Sequence, residues 1–171
     1  MRNLRKIIAV LLFVAVTATV SAQTPKFGHI DLQAIIQVMP ERATAETAFN
    51  AFQADLEDIL AEMQKDYQKK LAELEQLGKD VSEVKRNAKI AELQDIQQRT
   101  QNYTQTAQGQ LQQKQGELLQ PVFDKAEKAI AEVAKEKGLI YVFDIGTKVV
   151  LYKSNESLDV FPLVKTKLGI L

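Results

Sequence analysis

From residue 41 onward the apolar positions fall in steps of three or four: Ala45, Phe49, Phe52, Leu56, Ile59, Met63, Tyr67, Leu71, Leu74 and Leu77. That spacing predicts one long helix with a narrow apolar stripe, the rest of its surface being Gln, Glu, Lys and Asp. Pro40-Glu41 suits its start, since proline is favoured at the first helical position and an acid in the first turn. Gly78 suits its stop, and Asp80-Val81-Ser82-Glu83 has the spacing of a capping box with Asp80 as N-cap, so the chain is expected to reverse over 78–81. A second stripe follows through Val81, Val84, Ala88, Ala91, Ile96, Tyr103, Ala107, Leu111, Leu118, Val122, Ala126, Ile130 and Val133, and stops at Lys135, Lys137 and Gly138.

Folding the stripes back on each other about that turn pairs positions whose numbers sum to about 159. Phe52 then faces Ala107, Leu56 faces Tyr103, Met63 faces Ile96 and Leu71 faces Ala88, so large meets small at several levels. Residues 41–118 therefore read as an antiparallel helical hairpin, whose first arm would be about 55 Å long at 1.5 Å per residue. No globular core has that shape, so the hairpin must project.

The flanks, 23–40 and 119–171, read as a small β-rich body with docked helices. A short strand over 27–31 leads into about two helical turns carrying Leu32, Ile35 and Ile36. The second long helix broadens its stripe through Leu119, Val122 and Phe123, as a helix docked on a body should. Two β-rich runs, 139–144 and 149–152, are expected to form a hairpin around Ile145-Gly146-Thr147-Lys148, and a short tail helix has Pro162 in its first turn. The first run is apolar on both faces, and the body with its docked helix end is near the size below which a single core rarely holds alone. Subunits are thus expected to share one β core through Leu139, Ile140, Tyr141, Val142, Phe143, Val149 and Leu151. Pro121, inside the second helix where the arm leaves the body, is a candidate hinge. The fold class is α+β, mostly α.

At the N-terminus, Arg2, Arg5 and Lys6 precede an acid-free apolar run over 7–20, and Val20-Ser21-Ala22 places small residues at a cleavage site. This is the order of a secretory signal peptide, too short to span a bilayer, cut between Ala22 and Gln23. Residues 23–171 carry 19 basic and 22 acidic side chains, a formal charge of −3. Nucleic acid is therefore not an expected partner, because phosphate binding needs a concentrated basic face. The absence of Cys excludes thiol catalysis, thiolate metal sites and a lipid anchor on cysteine.

Candidate chemistry is sparse. His29 is the only histidine and has no HExxH-type neighbour, no GxSxG elbow exists, and Gly146-Thr147-Lys148 lacks the glycine-rich run of a phosphate loop. No catalytic, cofactor-binding or metal-ligating residue is expected, and no cofactor. Charge is uneven instead: 65–90 holds seven basic and five acidic residues, whereas 41–61 holds one and five. Lys65, Lys69, Lys70, Lys85, Arg86 and Lys89 at the hairpin tip are candidate contacts for acidic clients or anionic lipid. Ten glutamines between 94 and 115 suit an exposed polar arm.

The signal peptide, the opening KFGHIDLQAIIQVMPE, the long charged hairpin, the segment LLQPVFDKAEKAIAEVAKEKGLIYVFD and the ending with VVLY and LDVFPLVKTKLG resemble, in that order, the Skp/OmpH family of periplasmic chaperones. The resemblance covers the whole chain after the signal. It implies a homotrimer with a β-rich body and three helical tentacles around a cavity, holding unfolded outer-membrane β-barrel proteins without ATP. It also implies contact with lipopolysaccharide, although the acidic balance here departs from the basic character of the family. A periplasmic coiled-coil adaptor or a structural spacer is the alternative class, but the residues outside the hairpin leave no room for an adaptor's further β domains.

Overall fold

The computed structural model describes residues 26–170, so the signal peptide expected over 1–22 lies outside the described residues. The chain is mostly helical, with two long helices and a small parallel sheet. In chain order the elements are β1 (Phe27–Ile30), α1 (Leu32–Val38), α2 (Pro40–Glu75), α3 (Glu83–Lys137), β2 (Tyr141–Asp144), β3 (Leu158–Asp159) and α4 (Phe161–Lys167).

α2 has 36 residues and α3 has 55. Pro40 occupies the first turn of α2, and Gly138 ends α3 at φ 63°, ψ 35°, the left-handed conformation that costs glycine nothing. The reversal between the helices differs from expectation. Gln76, still in right-handed conformation, caps α2, and Ser82 caps α3 without a side-chain bond, so no Asp80–Glu83 capping box forms. Gly78 does not take a left-handed φ either. Here backbone bonds close the turn, Val81 N to Gly78 O at 3.4 Å and Leu77 N to Leu74 O at 3.2 Å.

Contacts between the long helices run in opposite chain directions, from Glu73 with Lys89 near the tip to Glu41 with Lys125 at the base. The touching positions sum to 162 at the first and 166 at the second, not 159. Thr100 reaches Met63 Sδ where Ile96 was expected, and Lys114 lies over the Phe52 ring where Ala107 was expected. Part of the shift is geometric: every helical side chain leans toward its own N-terminus by about one residue, so in opposed helices touching positions sum to about two more than positions whose Cα atoms lie level. Leu56, Leu93, Ile96 and Ala107 are buried along this seam.

β1 is the middle strand, in the order β2-β1-β3, and pairs parallel with both neighbours. The expected 139–144/149–152 hairpin is absent. Residues 149–152 form no strand, and β1 pairs with 141–144 on one side and 158–159 on the other. The reason lies in β1's backbone, which finds long-range partners at both edges: Ile140 N donates to Lys26 O, Ile145 N to Ile30 O and Val160 N to His29 O, at 2.9 to 3.0 Å. Below the sheet, Val122, Ala126, Ala129 and Val133 of α3 form one face and pack with Ile30, Ile35, Ile36, Met39, Val160 and Val164 as the core.

Candidate binding surfaces

The upper face of the sheet carries the first surface. Side chains alternate across a strand, so Phe27 and His29 of β1 share a face with Tyr141 and Phe143 of β2, their partners in register. Phe27, Tyr141 and Phe143 form an aromatic cluster with centroids 5.9 to 6.4 Å apart, and all three are exposed. His29 lies buried beside them, its Nδ1 2.9 Å from Ser157 Oγ. Among the described residues no group of three or more His, Cys, Asp or Glu could hold a metal.

Of the seven expected assembly residues, Leu139 and Val142 are half-buried against the core. Ile140, Tyr141 and Phe143 are exposed. Val149 and Leu151 are 80% and 95% exposed in the connection between β2 and β3, with Tyr152 at 83%. A cluster of large apolar side chains in water marks an interaction site rather than chance. Phe27 belongs to the same surface but was not expected there; Leu158, in register with Gly28, lies on the opposite face of the sheet. Alternation along 27–30 points to Phe27, whereas Leu158 joins the sheet only through a long-range parallel pairing that a local pattern cannot reveal.

The tip separates the six basic candidates. Lys70 and Lys89 are tied across the helices in a four-membered network: Lys89 to Glu73 at 2.9 Å and to Glu92 at 3.2 Å, Lys70 to Glu92 at 3.0 Å and to Glu73 at 3.9 Å. A hydrogen bond from Lys89 holds Glu73 below the ordinary carboxylate range, and bonds from Lys70 and Lys89 do the same for Glu92. The same network, led by Glu73, raises Lys89. Arg86 donates to Gly78 O at 3.4 Å. Lys65, Lys69 and Lys85 are exposed and make no hydrogen bond or ion pair with any described residue. The structure thus divides the candidates into three that brace the tip and three that face outward.

Two open grooves lie at the base of the arm. Of about 280 and 380 Å³, they flank Ala45 and Leu118, one lined also by Phe49 and Leu119, the other by Ala48, Pro121 and Val122. Pro121 sits inside an unbroken α3, and its missing N–H leaves the carbonyl of Glu117 without its usual helical donor. No helix among the described residues is long and apolar enough to cross a membrane.

These features are two long helices along a thin buried seam and a small body with an open aromatic face. A family model described as outer membrane protein (OmpH-like) matches residues 26–168. No curated protein matches the chain.

Proposed function

Since the chain belongs to the OmpH-like family, which carries a periplasmic chaperone role in outer-membrane protein biogenesis, we propose that it is an ATP-independent holdase that keeps unfolded outer-membrane β-barrel proteins from aggregating before insertion. In this reading the signal peptide is removed near Ala22-Gln23, the body assembles three copies, and the three helical hairpins surround a client-holding cavity.

The observation that carries the reading is the division of the molecule. α2 and α3 run together far beyond the last core residue, braced by ion pairs and a thin seam, and such an arm gains nothing for the body's stability. Its use is reach. Assembly has its own support in the exposed Phe27, Tyr141 and Phe143 above a sheet whose other face is already covered. The extended 149–152 segment, rich in β-formers and unpaired within one chain, supplies further apolar surface for a neighbouring subunit to cover. Lys65, Lys69 and Lys85 are the contacts proposed for acidic clients or anionic lipid such as lipopolysaccharide.

Shortening the arms tests the function. Deleting 55–68 and 94–107 removes two heptads from each arm, keeps the reversal with its caps Gln76 and Ser82, and preserves the relative register of what remains. The shortened protein is expected to stay oligomeric in sedimentation but to lose suppression of light scattering when an unfolded outer-membrane barrel is diluted from urea, with or without ATP. Full protection by the shortened protein would move the function to the body.

A further inference from the structure

Seven glutamines of α3, namely Gln94, Gln98, Gln101, Gln105, Gln108, Gln112 and Gln115, alternate in steps of four and three, and all seven are exposed. An average step of 3.5 residues keeps a position at a constant angle to the partner helix when two helices wind together. The glutamines therefore form one continuous line, about 30 Å long, on a different face from the buried seam residues Leu93, Ile96 and Ala107. Only Gln98 is engaged within the chain, donating from Nε2 to Asn102 Oδ1 at 3.0 Å; the other six amides bond to no described residue.

Charge is nearly absent along this line. Between 94 and 115 the charged residues are Asp95, Arg99 and Lys114, of which Asp95 and Arg99 pair at 2.9 Å and Lys114 pairs with Glu117 at 3.7 Å. The opposed stretch of α2, 50–69, carries five acids and two bases. The arm thus has an acidic side and a neutral amide side.

A second observation falls on the same stretch. Gly109 and Gly116 lie seven apart inside α3, both exposed, and a Cβ added at either would meet nothing within 4 Å. Neither has a positive φ. Glycine inside a helix costs stability relative to alanine, and here neither packing nor backbone conformation offsets that cost. Both flank the amide line, Gly109 between Gln105 and Gln112 and Gly116 one turn after Gln112. Missing side chains at these positions leave room for another backbone to approach the helix closely.

We infer that the 94–116 face of α3 is a track for extended, unfolded polypeptide, gripped through its backbone amides. A glutamine side chain offers one carbonyl acceptor and an NH₂ donor, the same groups that each peptide unit presents. A line of them binds the one feature that all unfolded chains share and ignores their side-chain charge. A second helix is a poor occupant, because its backbone bonds are already satisfied and the line offers no apolar knobs. The inference rests on the holdase reading and names the surface that does the holding.

The test uses the full chain with Gln98, Gln101, Gln105, Gln108 and Gln112 all changed to Ala, which favours the helix. Binding of a urea-unfolded outer-membrane barrel protein, measured by fluorescence at low and high salt, is expected to weaken about tenfold, as when several weak hydrogen bonds that act together are removed at once, with the oligomer mass unchanged. The affinity lost in the alanine variant should be the same at low and high salt, because the amide line itself carries no charge; any salt dependence belongs to Lys65, Lys69 and Lys85 and should be shared by both proteins. A second variant, Gly109→Leu with Gly116→Leu, fills the notches; it should raise thermal stability yet weaken binding. If the unsubstituted protein binds and both variants bind equally well, the track is overturned while the holdase reading stands. A changed oligomer mass in the alanine variant also overturns it and makes the line a contact between copies. An unsubstituted protein that binds no client sinks both readings.

Discussion

Single residues act here mostly by what they lack. Gly28 has no Cβ because one would sit 2.7 Å from Leu139 Cδ1 and 3.2 Å from Val160 Cγ1, so β1 can lie under both side chains. Gly146 leaves space beside the carboxylates of Asp31 and Asp144, which hold the start of α1 through Ala34 N at 2.9 Å and Leu32 N at 3.2 Å. Pro121 lacks an N–H, and we propose that it is the joint between arm and body. Pro121→Ala is expected to raise thermal stability, by up to about 3 kcal/mol, the helix-interior cost of proline. It should also narrow the spread of tip-to-tip distances between spin labels. An unchanged spread would leave Pro121 with no hinge role.

Among the elements, the arm is held by charge where the body is held by apolar contact. The seam buries few large side chains, and the tip relies on Lys70, Glu73, Lys89 and Glu92. The lowered values of Glu73 and Glu92 mean that their contribution is present above the unfolded carboxylate pKa and is lost as pH falls through the lowered folded values. Lys89, raised, contributes below the unfolded lysine value and stops contributing as pH climbs past its raised one. The network thus holds across the neutral range. These groups are well solvated, so each pair is weak alone. Amide hydrogen exchange over 70–92 is expected to quicken as pH drops to about 3–4, after correction for intrinsic rates, and also on adding salt. Exchange over 122–133 should hold. Equal loss at both ends would mean that the arm and body unfold as one unit.

On the scale of the whole molecule, the body and the proposed assembly can be separated by substitution, because the sheet has one face on the core and one in water. Phe143→Asp changes a side chain that is 44% exposed in the single subunit, so the subunit's circular dichroism is expected to persist. In an assembly that covers the face, the same carboxylate would be buried unpaired, at a cost of several kcal/mol. Sedimentation should therefore show a folded, smaller species. A Phe143→Asp protein that keeps its full mass would place the subunit contact elsewhere, with 149–152 the next segment to alter.

Periodicity in the sequence determined the two long helices, because an amphipathic stripe is a local property that 3.6 residues per turn writes directly into residue order. It likewise determined the Gly138 stop, the Pro40 start and the short helix carrying Ile35 and Ile36. The same residue order left the sheet open to a wrong reading. Residues 139–144 and 149–152 look like hairpin partners, yet β1 takes Tyr141–Asp144 on one edge and Leu158–Asp159 on the other. Strand pairing depends on which backbone groups meet after α2 and α3 have brought distant segments together, and no local pattern encodes that. Only the tertiary structure separated Lys70 and Lys89, locked in the tip network, from Lys65, Lys69 and Lys85 in solvent, because all five look alike as charges along a chain. It also decided the seam register, since the lean of side chains toward each helix's N-terminus helps set which residues touch once the helices lie side by side.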